Sequence, residues 1–466
     1  EFTKKFNETT LLHKMYEANY SKEIYVTVLD EMNIARVEYY FAEFLWNNAN
    51  FNKAQPVATA TNPNGTTYTF EGLTPGYYLI KDQEGTLTDG MNDFYTSFII
   101  TLTSSTNVEV KGSVPTVTKQ VSDELDGQYS AQISNQLNQL HYYEWVGTIP
   151  SEIEDYDFYH YEFQDTLSTG LTFNRIEEIY IKTSNGKDIL YQDNASGTSV
   201  AGKPPIWYVP DSGTVGGQIR IGWENLKASY PNLLKSDTVH VRYSAKLNEN
   251  AISVQSGNPN TVELIYSNNP YDSGDYGKTP PSTARVYTFD LEVHKVSDTG
   301  TNLQGAEFVL FHNHTETGNV VPVYAVVTNG AITSWTHEFE DATKLVSGQD
   351  GKITVTGLKK DVDYYLTETK APDGFNTLYG NTEIEITDYA INDANEITRI
   401  DYEINNSDKT AEGKTAKVTL DVVNKGGTEL PSTGGTGTTV MYIVGGILVL
   451  AAVVLLITKK RMSNAE

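Results

Sequence analysis

Short runs in which apolar and polar residues alternate recur along most of this 466-residue chain. In the run FDLEV at 289–293 every second side chain is apolar, which is typical of a strand with one buried face. Clusters of Gly, Pro, Asn and Asp separate these runs, and only 35–47 is a good helical candidate. The pattern therefore predicts an all-β protein of tandem β-sandwich domains.

The composition excludes several classes of protein. With no cysteine, the chain can hold no disulfide framework, thiolate zinc site or cysteine nucleophile. Its 34 Lys and Arg against 60 Asp and Glu give a net charge of −26, which argues against a nucleic-acid partner because phosphate binding needs a basic surface. His312 and His314 form the best metal-ligand pair, but they lack further ligands. We predict neither a metal nor a cofactor.

Changes in composition divide the chain into four segments. We predict the following domains: an N-terminal domain at 1–112, a middle β-sandwich at 113–283, a third β-sandwich at 284–427, and a tail at 428–466. The chain opens without an initiator Met or an apolar leader, so we expect preceding residues to be missing and the first domain to be truncated.

The tail contains an apolar run of 18 residues without a charge, from 440 to 457. At about 1.5 Å per residue, a helix of this length spans roughly 27 Å, just enough to cross a bilayer core. A basic cluster follows at 459–461, which places the short end of the tail in the cytoplasm and the rest of the chain outside the cell.

A five-residue motif lies just before this run and consists of Leu430, Pro431, Ser432, Thr433 and Gly434. Motif, flexible spacer, apolar span and basic tail together resemble the LPxTG cell-wall sorting signal of Gram-positive surface proteins. The resemblance implies that a sortase cleaves after Thr433 and transfers its carbonyl to an amine, so that the protein is anchored to peptidoglycan. Pro431 suits this role because it stiffens an extended peptide.

On several predicted strands, a polar residue takes the next position on the face that is otherwise apolar. In the third domain Lys295, Glu368 and Asn424 lie two positions beyond apolar residues of their strands. The middle domain repeats the order with three residues, namely Lys119, Asp165 and Asn268. Asn269 is the rival to Asn268, but it lies out of phase.

Burial of such groups favours their neutral forms, because a lone charge is costly in an apolar core. A neutral lysine beside an amide is a nucleophile, and the acid can shuttle the protons, so that ammonia leaves and a Lys–Asn isopeptide bond remains. For any single residue, a lysine that reaches the sheet edge and an asparagine that caps a turn are the simpler reading. Two sets of lysine, acid and asparagine in the same order favour the interpretation as isopeptide bonds.

Further motifs extend the resemblance to nearly the whole chain. Residues 289–295, 305–308 and 365–372 resemble CnaB domains of Gram-positive pilins, and 165–171 and 266–270 resemble the middle domain of SpaA-type backbone pilins. The resemblance implies immunoglobulin-like (CnaA/CnaB-type) sandwiches with intramolecular isopeptide bonds. It also implies a non-enzymatic shaft subunit of a cell-surface pilus, joined covalently to neighbouring pilin subunits, with a host surface or matrix as an open further partner.

Polymerisation requires an amine donor on each subunit. Pilins of this kind present a lysine near the junction of the first and second domains, where this chain has Lys111, although the usual Tyr-Pro context is missing. An ordinary surface lysine is the competing interpretation. We predict no isopeptide bond in the first domain, because Lys81 occupies the place that Glu368 has in the third.

Two other functions stay open at this point. A monomeric wall-anchored adhesin, or a basal pilin, would use the same β domains as a stalk. A surface hydrolase has less support, because no accessible acid/base pair can be identified in the sequence.

Overall fold

The computed structural model describes nine segments of the chain: residues 58–60, 68–82, 94–108, 113–192, 206–253, 256–270, 273–316, 318–413 and 417–427. Nearly all regular structure in them is β-strand, as the alternation predicts. Two strands near the N-terminal end belong to one compact unit, and the strands from residue 113 onward belong to another.

In the first unit, the described residues form one antiparallel pair of strands, β1 (Gly76–Lys81) and β2 (Ser97–Leu102). Gly72 precedes β1 with a φ of 73°, a backbone conformation that glycine adopts without a steric penalty. Lys81 is the last residue of β1. The helix predicted at 35–47 and the proposed amine donor Lys111 lie outside the described residues.

The second unit begins with an eleven-stranded sheet, the middle sheet. Its strands are β3 (Val117–Ser122), β4 (Gln132–Ser134), β5 (Leu140–Thr148), β6 (Tyr161–Thr183), β7 (Gly186–Gln192), β8 (Ile206–Tyr208), β9 (Val215–Trp223), β10 (Thr238–Leu247), β11 (Asn258–Ser267), β12 (Tyr276–Lys278) and β13 (Ser282–Tyr287). A 3₁₀ turn (Ile153–Asp155) and the short helix α1 (Leu226–Ser229) interrupt them. The order is β3-β5-β10-β6-β11-β13-β4.

The long strand β6 connects the two halves of the middle sheet. Its first part pairs with β11 and β9, and its second part pairs with β10 and β7. Alternate residues from these strands meet in a core rich in aromatic side chains, with Trp145, Tyr243 and Phe163 fully buried. β13 pairs with β11, so the middle sheet extends to Tyr287 and the domain boundary predicted after residue 283 falls inside β13.

A second eleven-stranded sheet, the third-domain sheet, follows directly. Its strands are β14 (Phe289–Ser297), β15 (Glu307–Glu316), β16 (Asn319–Thr328), β17 (Ala331–Thr336), β18 (Leu345–Val346), β19 (Lys352–Leu358), β20 (Asp363–Lys370), β21 (Asn381–Ile391), β22 (Ile397–Ile404), β23 (Ser407–Glu412) and β24 (Val418–Asn424). A 3₁₀ turn lies at Phe339–Asp341. The order is β23-β22-β21-β20-β15-β16-β17-β19-β14-β24, with β18 on β15.

The first and last strands of the third-domain sheet are neighbours. β14 and β24 run parallel, with Leu291 opposite Val418 and Lys295 opposite Val422. Two parallel strands cannot be joined by a tight turn. Here the connection between them consists of all the other strands of the sheet. The domain therefore begins and ends on adjacent strands.

The middle and third-domain sheets contact each other through the segment between β4 and β5. Gln136 Nε2 donates to Tyr364 OH at 2.7 Å, and the backbone N–H of Leu137 donates to the carbonyl of Gly357 at 3.3 Å. Gln136 and Leu137 are both buried. This junction therefore combines hydrogen bonds with apolar packing.

None of the helices in the described segments is long and apolar enough to cross a membrane. The apolar run predicted at 440–457 and the motif at 430–434 lie outside those segments.

We predict that the junction does not tolerate a side chain at Gly357. A Cβ added there would lie 2.9 Å from Leu137 side-chain atoms, whereas one added at Gly380 would have nothing within 4 Å. Both glycines have positive φ (119° and 90°), so the backbone strain of an alanine applies to Gly357→Ala and Gly380→Ala alike. Gly357→Ala should lose about 1–3 kcal/mol more stability in denaturant unfolding, because of overpacking. Equal losses would contradict the predicted clash.

Candidate functional site

The third-domain sheet brings together the three polar residues that the alternation predicted. Lys295 on β14, Glu368 on β20 and Asn424 on β24 are all buried, with exposures of 0%, 5% and 0%. Each follows a series of buried apolar residues on the same face of its strand. Strand alternation therefore carries them into the core, and no local turn is needed to bury them.

The acid and the amide of this cluster are in direct contact. Asn424 Nδ2 donates to Glu368 Oε1 at 3.0 Å and to Oε2 at 3.1 Å. Lys295 Nζ lies 4.0 Å from Glu368 Oε1 and donates to the carbonyl of Val422 at 2.9 Å. Asn424 Oδ1 is buried without a hydrogen-bond partner. An amine, an amide and a carboxyl group therefore share one buried site.

The segment between β20 and β21 covers this cluster. The backbone N–H of Leu378 donates to Glu368 Oε2 at 2.7 Å, and the carbonyl of Asn376 accepts from Asn424 Nδ2 at 3.0 Å. Phe375 forms a bridge with Gly426 just after β24. The covering segment thus fixes both the acid and the amide.

Burial lowers the pKa of Lys295 to about 8, and the nearby Glu368 opposes the shift without cancelling it. A lysine with this pKa reaches its neutral, nucleophilic form much more readily than an ordinary one.

A second cluster lies in the middle sheet. Lys119 on β3 and Asp165 on β6 are 2% and 1% exposed, and Lys119 Nζ donates to Asp165 Oδ1. Tyr243 on β10 joins them: its hydroxyl accepts from Lys119 Nζ at 3.0 Å and donates to Asp165 Oδ2. The rings of Tyr143 and Trp145 also surround the ammonium group, with centroids 4.8 and 5.3 Å from Nζ.

Burial shifts both ionisable groups of the middle cluster toward their neutral forms. It lowers the pKa of Lys119 to about 8, against the attraction of Asp165. It also raises the pKa of Asp165, against the attraction and hydrogen bond of Lys119. The pair is therefore prepared to exchange its proton, leaving a neutral amine beside a carboxylic acid.

The amide of the middle cluster is Asn260, and the predicted Asn268 is not brought to it. Asn260 Nδ2 donates to the Tyr243 hydroxyl, and Asn260 is fully buried. On β11, Val262 is opposite Asp165, so the same-face neighbour two residues away is Asn260. Asn268 lies six residues beyond Val262, roughly 20 Å along a strand.

Asn268 and Asn269 occupy the turn after β11. The backbone N–H of Asn268 donates to the carbonyl of Asp275 at 3.4 Å, and Asn269 Nδ2 donates to Asp275 Oδ2 at 2.9 Å. A sequence signal for Asn260 did exist, since it shares the buried face with Val262. It was missed because the expected order placed the amide at the end of the strand.

For the other predicted site residues the structure gives no position. Lys111 and the motif from Leu430 to Gly434 lie outside the described segments. Within those segments there is no group of three His, Cys, Asp or Glu side chains that could hold a metal ion.

Comparisons with known protein families match two regions in the C-terminal part of the chain. The family described as the SpaA prealbumin-like fold domain matches residues 289–401, and the family described as the LPXTG cell wall anchor motif matches 422–464. The trypsin-resistant surface T6 protein of Streptococcus pyogenes serotype M6 is 24% identical over 391 residues, which cover 75% of this chain and 70% of that protein.

Solved structures of pilins are also similar. The T6 backbone pilin of serotype M6 Streptococcus pyogenes is 17% identical with a TM-score of 0.49, covering 81% of this chain and 86% of that one. The group B streptococcus pilus 2b backbone protein is 24% identical with a TM-score of 0.43, covering 67% of this chain and 99% of that one.

A SpaA-type domain followed by an LPXTG anchor defines the class: the chain has the parts of a cell-wall-anchored surface protein of Gram-positive bacteria. Within this class it is related to the T6 protein of Streptococcus pyogenes over 75% of its length. The predicted fold class, family and cell-wall location are thus confirmed.

The pKa of Lys295 predicts how stability depends on pH when residue 424 offers no amide. We expect Lys295 to keep its lowered pKa of about 8 in folded Asn424→Ala, because burial causes the shift, and to return to 10.5 on unfolding. The unfolded chain then binds more protons between these values. The free energy of unfolding should therefore increase as the pH rises from about 8 to about 10.5. Denaturant titrations at several pH values measure it.

The control for this prediction is the double variant Lys295→Met/Asn424→Ala, which lacks the titrating amine. Its stability should increase less over the same pH range. An equal increase in both variants would assign the effect to other groups.

Proposed function

We propose that the chain is a shaft subunit of a covalent pilus whose two large domains are each closed by an intramolecular Lys–Asn isopeptide bond. The observation that carries the proposal is the pair of buried clusters, each with one lysine, one acid and one amide. An unpaired charge is costly to bury, and formation of an isopeptide bond would remove the charge of the lysine in each cluster.

In the third domain, the neutral amine of Lys295 attacks the side-chain carbonyl carbon of Asn424. The new C–N bond forms, the bond to Nδ2 breaks, and Nδ2 leaves as ammonia after receiving a proton. Glu368 supplies that proton and accepts one from the attacking nitrogen, since it contacts the amide and lies 4.0 Å from the amine. The acid acts once in each molecule, so the chain is not an enzyme that turns over.

In the middle domain, the corresponding bond joins Lys119 to Asn260, with Asp165 as the acid. Their shared contacts with Tyr243 support this assignment over the predicted Asn268.

Both bonds suit a protein under tension. Lys295 and Asn424 lie on the first and last strands of their sheet, and these strands are adjacent. A bond between them carries force past the strands in between. For a closed loop of roughly 100 residues, the loss of unfolded-state entropy adds about 5 kcal/mol, by analogy with a disulfide. The name of the Streptococcus pyogenes relative records resistance to trypsin, which a covalently closed fold would also confer.

Assembly requires a second set of residues. A sortase cleaves after Thr433 and joins its carbonyl either to an amine of peptidoglycan or to Lys111 of the next subunit. The match to the LPXTG anchor family supports the cleavage site. The position of Lys111 between the predicted first and middle domains supports its role as the amine donor.

Intact mass tests the two bonds. Each bond releases one ammonia, so the mature chain should weigh about 34 Da less than its sequence predicts, about 17 Da for each bond. Lys295→Ala and Asn424→Ala should each restore about 17 Da once the substitution itself is allowed for. A mass equal to that of the unmodified sequence would exclude both bonds.

A matched pair of variants tests the identity of the middle amide. Asn260→Ala should lose the middle bond and keep the third-domain bond, whereas Asn268→Ala should keep both. Peptide mapping should find Lys119 joined to the peptide that contains Asn260. A crosslink from Lys119 to Asn268 would contradict the assignment.

Polymerisation is tested in cells that express the cognate sortase. Lys111→Ala should abolish the ladder of detergent-resistant, high-mass species, because it removes the amine that receives Thr433. Lys81→Ala provides a matched control and should leave the ladder unchanged. A ladder that persists in Lys111→Ala would exclude Lys111 as the amine donor and would favour the alternative that another lysine serves.

A further inference from the structure

The hydroxyl of Tyr243 lies at the centre of the middle cluster. It accepts hydrogen bonds from Lys119 Nζ and Asn260 Nδ2, and it donates one to Asp165 Oδ2. Tyr243 is fully buried, and its ring stacks on Tyr143 with centroids 5.2 Å apart. One phenol oxygen thus touches the amine, the acid and the amide.

Among the described residues, the third-domain cluster has no such intermediary. There Glu368 accepts directly from the amide of Asn424 through both carboxylate oxygens. In the middle cluster, no hydrogen bond of the described residues joins Asp165 directly to Asn260, and both instead contact Tyr243. Aspartate is one methylene shorter than glutamate, and here Tyr243 contacts both the acid and the amide.

We propose that Tyr243 is a catalytic residue of the Lys119–Asn260 reaction, and that its hydroxyl relays protons between Asp165 and the amide. The proposal rests on the proposed function, because it needs the bond to form. A hydroxyl suits this role because it can donate and accept at the same time. Phenylalanine would fill the same space without either capacity.

The relay balances the protons of the reaction. Lys119 first gives a proton to Asp165 and becomes a neutral amine. Its nitrogen then bonds to Cγ of Asn260, and the bond from Cγ to Nδ2 breaks. Asp165 passes its proton to the oxygen of Tyr243 while the phenol proton moves to Nδ2, which leaves as ammonia. Asp165 finally takes the surplus proton from the new amide nitrogen, and no electron is gained or lost.

The surroundings of Tyr243 keep it in the form that the relay requires. Burial raises the pKa of Tyr243 well above its ordinary value, and the neighbouring Asp165 raises it further. The hydroxyl therefore stays protonated between transfers, and it does not compete with Lys119 as a nucleophile.

The test uses the full chain, made by cell-free synthesis, with intact mass followed over time after synthesis stops. In Tyr243→Phe the middle bond should form about 100-fold more slowly or not at all, since general acid–base catalysis contributes at least about that factor. The third-domain bond should form at the wild-type rate in the same molecules. It therefore serves as an internal control for synthesis and for folding of that domain.

Tyr161→Phe is the matched control in the middle core. Tyr161 is fully buried there and its hydroxyl donates to the carbonyl of Thr148 at 3.1 Å, away from the reacting groups. This variant loses one buried hydroxyl but should still form both bonds. Circular dichroism of both variants should be that of the wild type, which shows that the middle sheet has folded.

The outcomes separate the two proposals. A Tyr243→Phe chain that loses both ammonia molecules at the wild-type rate would overturn the role of Tyr243 and leave the proposed function intact. A wild-type chain without the middle bond would overturn both. Slowing in Tyr243→Phe alone, with the fold retained, supports the relay.

Discussion

The structure depends on where two lysines are buried. Lys119 and Lys295 lie in aromatic and aliphatic cores, where water cannot stabilise an ammonium group. Burial lowers the pKa of both to about 8. A lone buried lysine would weaken the fold, whereas in the reaction that we propose the neighbouring acid and amide remove its charge permanently. The same desolvation that makes the folded state costly therefore favours the reaction that we propose.

Strand register decides which amide each lysine meets. β14 and β24 pair in parallel, so a lysine and an asparagine two positions apart in the register lie on one face. In the middle domain β6 and β11 are antiparallel, and the neighbour of Asp165 is found at the beginning of β11. The two domains thus reach similar clusters through different strand geometry, and the longer reach of Glu368 removes the need for the phenol that Asp165 uses.

Much of this could be predicted from the sequence, because the period of two is a local property. It identified the all-β fold and the buried phase of Lys119, Asp165 and Lys295, which the structure reproduces. The same period puts Asn260 on the buried face of its strand. It could not select Asn260 as the partner of Lys119, because alternation does not say which residues of two distant strands lie opposite each other. Tyr243 was missed for a different reason: in sequence it is an ordinary core aromatic, and only its contacts distinguish it.

The place of Asn260 at the start of β11 affects a chain that is pulled from both ends. Once Lys119 is bonded to Asn260 and Lys295 to Asn424, residues 261–294 belong to neither closed loop. Force must run along this stretch, through β11, β12, β13 and the beginning of β14, which are held only by noncovalent contacts. If the proposed bonds form, this stretch is the part that can lengthen under tension, because the loops on either side are held closed. Each subunit of such a filament would then contain one extensible segment between two covalently closed domains.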